Sequence, residues 1–391
     1  MGAGIAQVAL EAGHRVLVHD VIPGAAERAR DRVADGLRRR ASKVGLAGAA
    51  AEARVSEQLT RLERLDDLSS LAVVAELVIE AAIEDLAAKR ELFSVLDRAA
   101  RPGTILATNT SALSIAAIAA AMEHPERALG LHFFNPAPVM ALVEVVSAPS
   151  TAPAVAEAAV ATMAAWAKTP IRCADSPGFI VNRVNRPFTL EALRALEAGS
   201  GRVDAIDAAV RAAGYRMGPF EYMDLVGIDV NLAAAGSLYQ ALGRPARLRP
   251  SPIQQALVAA GRVGRKSGSG FYRHATGGGP IEAAPLPDSI AGSAVPEALA
   301  GDAPSPAGVA ERIALAIANE AYFALDAGVA SAGDIDRALR LGANHPWGPF
   351  EWARQHGEER ALVELEALVA AGQGRFEPAP GLRAAVAGRS R

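Results

Sequence analysis

Six short apolar runs, most of them separated by helix-length stretches, fill the first 173 residues and restrict the fold more than any other feature of the chain. The runs cover residues 15–19, 77–81, 104–107, 128–134, 141–146 and 170–173. Helical patterns lie between most of them, over residues 25–43, 86–100 and 152–167. Strands that alternate with helices in this way predict a mostly parallel sheet covered on both faces. The pattern changes at Asp175-Ser176-Pro177-Gly178, where a polar cap and a proline announce a helix. From there to about residue 272 the chain reads as helices. Residues 274–305, rich in Gly, Pro and Ala, read as a linker.

A repeat organises the second half. Residues 183–199 (RVNRPFTLEALRALEAG) match residues 312–328 (RIALAIANEAYFALDAG), and residues 206–221 match residues 335–351 with one residue inserted. Both copies contain Gly-Pro-Phe-Glu, so a helical module occurs twice. The expected plan is a Rossmann-like domain over 1–173, a helical domain over 174–273, the linker, and a second helical domain over 306–391. The copies differ where chemistry would matter: Glu311 stands where the first copy has Asn182. The second copy is therefore expected to be structural.

Composition excludes several classes. The net charge of −3 leaves no large basic face for nucleic acid. One cysteine, Cys173, excludes an internal disulfide and fits a reducing compartment. The most apolar window, residues 68–83, is interrupted by Glu76 and Glu80, so no membrane span is expected. With no signal-peptide pattern at the N-terminus, the expectation is a cytoplasmic protein acting on a small molecule, without nucleic acid or membrane partners and without a metal.

His132 lies on one apolar run and Glu144 inside the next. Neighbouring strands can hold such a pair with water largely excluded, and a carboxylate that orients an imidazole suits it to move one proton. A buried histidine with a satisfied hydrogen bond is the other reading. The chain opens directly into a helical pattern at Gly2, followed by an apolar stretch and Asp20, 18 residues after Gly2. That is close to the spacing between the glycine motif and the acid of a dinucleotide fold. An acid there can accept hydroxyls of the adenosine ribose and would repel a 2′-phosphate, which favours NAD over NADP. Asp20 can equally be a loop acid that closes a strand.

Taken together, MGAGIAQVALEAGHRVLVHD (1–20), ATNTSAL (107–113), GLHFFNPAP (130–138), LVEVV (142–146), DSPGFIVNR (175–183), MGPFE (217–221) and GRKSGSGFY (264–272) resemble the L-3-hydroxyacyl-CoA dehydrogenases in order and spacing. The tandem module is similar to the long bacterial members, which include 3-hydroxyadipyl-CoA dehydrogenases of phenylacetate degradation; some 3-hydroxybutyryl-CoA dehydrogenases of fatty acid metabolism share the plan. The resemblance implies an α/β Rossmann-type NAD-binding domain followed by two homologous all-α domains. It implies NAD-dependent oxidation of (3S)-3-hydroxyacyl-CoA to 3-oxoacyl-CoA. His132 would be the base, Glu144 its partner, and Ser111 and Asn182 the substrate-oxygen contacts. Gly2, Asp20, Glu84, Lys89, Asn109, Asn135 and Lys266 would be cofactor contacts, and Lys43, in the basic run with Arg38, Arg39 and Arg40, would meet CoA. Taken alone, Ser111 reads as a helix cap and Asn182 as a residue serving the backbone.

Family members carry an apolar strand and glycines ahead of the residue matching Gly2, so the Rossmann domain is expected to be N-terminally truncated here, with a start placed too far downstream as the explanation. The neighbours of that strand would otherwise show unpaired edges. Two alternatives remain: a binding or structural protein on a dehydrogenase scaffold lacking the complete dinucleotide site, and a 6-phosphogluconate-type dehydrogenase. The latter chemistry commonly uses a lysine base, whereas His132 and Glu144 favour the first reading. Self-association, or a pseudo-dimer within one chain, is expected from the tandem module.

Overall fold

The computed structural model describes residues 1–275, 279–287 and 304–389; most of the linker expected over 274–305 lies outside the described residues. The chain divides into two compact units, residues 1–179 and 180–391.

The first unit runs α1 (Gly2–Glu11), β1 (Val16–Val18), α2 (Ala25–Lys43), α3 (Gly48–Leu59), β2 (Leu62–Arg64), α4 (Leu68–Val74), β3 (Leu77–Glu80), α5 (Leu86–Ala99), β4 (Ile105–Thr108), α6 (Ile115–Ala119), β5 (Ala128–Phe133), β6 (Leu142–Ser147), α7 (Pro153–Ala165) and β7 (Thr169–Ala174). Its strands form two sheets. One is the parallel pair β1–β2, and the other has the order β3-β4-β5-β6-β7. Every adjacent pair is parallel except β5–β6. The six apolar runs become β1, β3, β4, β5, β6 and β7, and β2 is an addition. Apolar residues on both faces of β5 and β6 are buried, as a sheet covered by helices requires. Ile5, Val8 and Ala9 of α1 pack with Leu129, Leu131, Val143 and Val145, while Ala6 and Leu10 pack with Val33 and Leu37 of α2. Gly36 lies against Gln7 at this contact, and a Cβ there, 1.9 Å from Gln7 Oε1, would make that side chain swing aside.

The second unit holds α8 (Val181–Val184), α9 (Arg186–Glu197), α10 (Val203–Ala212), α11 (Pro219–Val226), α12 (Ile228–Ala241), α13 (Pro252–Ala259), β8 (Tyr272–His274), β9 (Pro280–Ala283), α14 (Pro306–Asp326), α15 (Ala332–Gly342), α16 (Pro349–His356), α17 (Glu358–Ala370) and α18 (Pro380–Arg389). Among the described residues it departs from the all-α expectation in one place: β8 and β9 form an antiparallel hairpin, and β9 lies inside the stretch read as linker. Buried Asp224 pins this hairpin, accepting the N–H groups of Phe271 and Tyr272 at 2.9 Å each and contacting His274 Nε2 at 2.7 Å.

The Gly-Pro-Phe-Glu segments build the same corner twice. Glu221 accepts Gly218 N–H at 3.0 Å, and Asp207 accepts Phe220 N–H at 3.0 Å. Glu351 accepts Gly348 N–H at 3.0 Å, and Asp336 accepts Phe350 N–H at 2.7 Å. Both glycines are required, since a Cβ at Gly218 or Gly348 would fall 2.2 or 2.3 Å from the aspartate Cγ. α14 packs along α9 and α10.

One contact between the two helical stretches titrates. His345 is buried, its Nε2 2.7 Å from Asn185 Oδ1, and its Nδ1 has no partner among the described residues. Burial pushes its pKa down to about 3. An unfolded chain takes up this proton near pH ~6.5 and the folded chain does so only well below it, so stability is lost as pH falls from about 6.5 toward 3, by at most ~1.4 kcal/mol per pH unit. Denaturant midpoints at pH 7 and pH 5 are expected to differ more for the parent protein than for His345→Gln. Equal differences would exclude His345 as the source.

Candidate active site

The antiparallel pairing of β5 and β6 sets His132 directly opposite Glu144. Side chains opposite one another on paired strands share a face of the sheet. Here His132 Nδ1 lies 2.6 Å from Glu144 Oε2, with the imidazole 7% exposed and the carboxylate fully buried. A carboxylate at Nδ1 fixes the proton on that nitrogen, so Nε2, which bonds to no described residue, carries the basic lone pair. Phe134 and Phe179 flank the ring, with centroids 4.6 and 5.8 Å away. Phe179 sits at φ 47°, after Gly178 at φ 74°, a left-handed conformation that is strained for a bulky aromatic residue. Such strain is kept where the side chain must stand in one place, and here it holds a ring against the imidazole. No sequence pattern singled out Phe179, although Pro-Gly ahead of it signals an unusual turn.

The carboxyl ends of β3, β4 and β5 carry the next group. Asn109, just past β4, accepts Phe133 N–H at 2.8 Å through its side chain and donates its own N–H to Glu80 O at 2.8 Å. It thereby ties β4 to the segment that holds His132. Glu84 accepts the N–H groups of Ser111 and Ala112 at 3.1 and 3.2 Å, and the hydroxyl of Thr110. That places Ser111, which is exposed, on a loop fixed by Glu84. The cap of α6 is Ser114, whose Oγ accepts Ala117 N–H, so Ser111 is not consumed in that role.

Lys89 is buried. Its ammonium lies 2.6 Å from Glu80 Oε1 and 3.5 Å from Glu84 Oε2. Glu80 also accepts Thr108 Oγ1 at 2.6 Å. Lys89 thus sits in a buried ion-pair network with Glu80 and Glu84. Glu80 was missed in the sequence because an acid inside an apolar run looks like an interruption rather than a member of a network.

Gly2 opens α1, whose first N–H groups have no side-chain cap. Asp20 closes β1, accepts Ile22 N–H at 2.9 Å and is exposed. Both line one cleft of about 1960 Å³, together with Asn135 and Lys43. An uncapped helix start and an exposed acid at the carboxyl end of a strand are the groups a dinucleotide requires, the first donating to its pyrophosphate and the second accepting from its ribose. Of the basic run, Arg38 is paired with Asp35 and Glu52, while Arg39, Arg40 and Lys43 line the cleft. Asn182 and Lys266 belong to the second unit: Asn182 is half-buried in α8, and Lys266 is exposed with its ammonium 2.7 Å from Asp229. Glu311, the counterpart of Asn182, is exposed on α14. Among the described residues no His, Cys, Asp and Glu cluster could hold a metal ion, and no helix is long and apolar enough to cross a membrane.

The first unit is of the dinucleotide-binding class: residues 1–176 match the NAD-binding domain of 3-hydroxyacyl-CoA dehydrogenase, and residues 178–274 and 309–389 match that enzyme's C-terminal domain. The chain is 40% identical to 3-hydroxyadipyl-CoA dehydrogenase of Escherichia coli, over 98% of this chain and 94% of the relative. It is likewise 40% identical to human mitochondrial hydroxyacyl-coenzyme A dehydrogenase, over 70% of this chain and 88% of the relative. The crystal structure of E. coli 3-hydroxybutyryl-CoA dehydrogenase superposes with a TM-score of 0.86 at 38% identity, covering 98% of this chain and 95% of that one. The chain belongs to the 3-hydroxyacyl-CoA dehydrogenase family.

Proposed function

We propose that the protein is a cytoplasmic enzyme that reversibly oxidises (3S)-3-hydroxyacyl-CoA to 3-oxoacyl-CoA. The observation that carries this reading is the buried His132–Glu144 pair, with Nε2 left for a substrate hydroxyl. NAD, when bound, supplies the hydride acceptor. His132 Nε2 takes the hydroxyl proton as the C3–H bond gives up its hydride, and Glu144 stabilises the imidazolium that forms. Ser111 and Asn182 donate to the substrate oxygen as it gains charge. Gly2 and Asp20 hold the dinucleotide, Asn135 and Lys266 add contacts to it, and Glu84, Lys89 and Asn109 fix the loops around it. Lys43 meets the phosphates of CoA. NADH formation from hydroxybutyryl-CoA tests the activity; no NADH with any hydroxyacyl-CoA, together with no NAD binding, would favour the scaffold reading instead.

A dicarboxylic acyl group is the substrate class we infer, with hydroxyadipyl-CoA as its representative. Such a group needs a cation for its distal carboxylate, and Arg183 and Arg186, close to Asn182 in the chain, are the candidates. Arg183 is bound to Glu320 at 3.0 Å and to Phe323 O at 3.1 Å. Arg186 is 7% exposed, and its Nε has no partner among the described residues. It opens α9, four residues after Asn182 of α8. An uncompensated buried guanidinium is costly unless an anion meets it. Arg186→Met is expected to lower kcat/KM on hydroxyadipyl-CoA by about 10–100-fold, the worth of a charge-assisted hydrogen bond, while hydroxybutyryl-CoA changes little. An equal loss on both substrates would assign Arg186 a structural role.

A further inference from the structure

We propose that Glu80, Thr108 and Thr110 are positioning residues for the substrate oxygen, joined with Glu84 and Lys89 in a closed polar ring that sets the loop of Ser111. The inference rests on the reading of Ser111 as a contact of that oxygen. Every link of the ring is a hydrogen bond or an ion pair. Lys89 Nζ lies 2.6 Å from Glu80 Oε1. Glu80 Oε2 accepts the Thr108 hydroxyl at 2.6 Å, and Thr108 Oγ1 accepts Thr110 N–H at 3.2 Å. The Thr110 hydroxyl donates to Glu84 Oε1, and Glu84 Oε2 closes the ring on Lys89 Nζ at 3.5 Å. Donors and acceptors alternate without conflict. Each threonine gives its proton to a carboxylate and keeps its lone pairs for a backbone N–H.

Glu80, Lys89, Thr108 and Thr110 are all buried. Polar groups taken out of water are costly unless they meet one another, and apolar side chains would fill the same volume at less cost. What apolar side chains could not do is bind the backbone of the loop above them. Residues 109–113 lie between β4 and Ser114, the cap of α6, so their N–H groups need partners outside a helix or a sheet. Thr110 N–H goes to Thr108 Oγ1 at 3.2 Å, and Ser111 N–H to Glu84 Oε1 at 3.1 Å. Ala112 N–H goes to Glu84 Oε1 at 3.2 Å, and Leu113 N–H to Thr110 Oγ1 at 2.9 Å. Four consecutive backbone donors are thus taken by oxygens of the ring, and the N–H before them, of Asn109, goes to Glu80 O at 2.8 Å.

The path of the loop is therefore dictated by side chains from the end of β3, the end of β4 and the first turns of α5. The same segment reaches the base: Asn109, between the two threonines, accepts Phe133 N–H at 2.8 Å, next to His132. A group that must meet a reacting oxygen tolerates little displacement, since a shift of ~1 Å can lower a rate by about 10²-fold. Removing one hydroxyl of the ring frees several loop amides at once, so its effect should fall on the placement of Ser111 more than on the fold as a whole.

The test compares Thr108→Val and Thr110→Val, which remove a ring hydroxyl but keep the branched shape, with Thr110→Ser, which keeps the hydroxyl. Asp97→Asn is the control for stability alone. Asp97 is also buried and shares α5 with Lys89, but its carboxylate serves Arg127 and the N–H groups of Glu123 and His124, none of them in the ring. The readouts are amide hydrogen exchange at Ser111, Ala112 and Leu113, Tm, and kcat/KM with hydroxybutyryl-CoA. Both valine variants are expected to speed exchange at these amides by at least ~10-fold and to lower kcat/KM by about 10–100-fold. Thr110→Ser is expected to stay within roughly 3-fold of the parent in both, because the hydrogen bonds survive. Asp97→Asn is expected to lower Tm without either change. Parent-like exchange in Thr110→Val overturns the proposal. So does an equal loss of kcat/KM in Thr110→Val and Asp97→Asn, which would leave the ring a general support of the fold. Exchange does not involve turnover, so failure of the ring is told apart from failure of the proposed activity.

Discussion

His132→Ala is expected to lower kcat by about 10²–10⁴-fold, a loss of ~3–5 kcal/mol of transition-state stabilisation, while NAD binding is retained. The size of the effect comes from the job of the imidazole. An alcohol gives up hydride readily only if its proton leaves as well, and Nε2 is the basic atom aimed by the 2.6 Å contact of Nδ1 with Glu144. Glu144→Gln keeps the shape of the pair but removes the negative charge that steadies the imidazolium formed in the reaction, so it should lower kcat while leaving NAD binding intact. A merely structural histidine would give a different result: Tm would fall while kcat of the folded fraction stayed the same. Unchanged kcat in His132→Ala would remove this residue from the reaction.

The pairing of His132 with Glu144 was legible because strands announce themselves by apolar runs, and two such runs with a polar residue each, consecutive in the chain and joined through residues 134–141, have few registers available. The helix over residues 25–43 was also legible to the residue, since α2 carries its own amphipathic stripe and begins right after Gly24. What stayed hidden depends on partners distant in the chain. β2, Leu-Glu-Arg, has one apolar residue and is a strand only because β1 lies beside it. β9 exists because β8 is pinned by Asp224, 48 residues before Tyr272. The ammonium of Lys89 lies 2.6 Å from Glu80, and no local pattern says that a lysine on an amphipathic helix will be buried. Asn109 and Glu84 could be named as site residues, yet their work of tying β4 to β5 and holding the Ser111 loop is visible only in three dimensions.

Glu320→Ala is expected to destabilise the helical unit by about 3–5 kcal/mol, the cost of removing one partner from a buried charge cluster. Glu320 sits on α14 and is 1% exposed. Its Oε1 accepts from Arg183 Nε at 3.0 Å and its Oε2 from Arg247 Nε at 2.6 Å, so one carboxylate serves two guanidinium groups of the first helical stretch. Arg183 is itself buried and adjoins Asn182. The same carboxylate thereby supports the helix that carries a proposed substrate contact, and the second helical stretch acts as an internal partner for the first, with its own Asn182 counterpart, Glu311, turned to solvent. Glu320→Gln should recover part of the stability, because an amide oxygen still accepts one hydrogen bond while the charge is gone. The variant should also raise KM for the acyl-CoA more than for NAD, since Asn182 lies beside the loosened arginine and the dinucleotide residues Gly2 and Asp20 belong to the other unit. Urea unfolding and the two KM values measure both effects. A stability loss under ~1 kcal/mol would mean that water replaces the carboxylate easily, and the second stretch would then be covering surface without holding the first in shape.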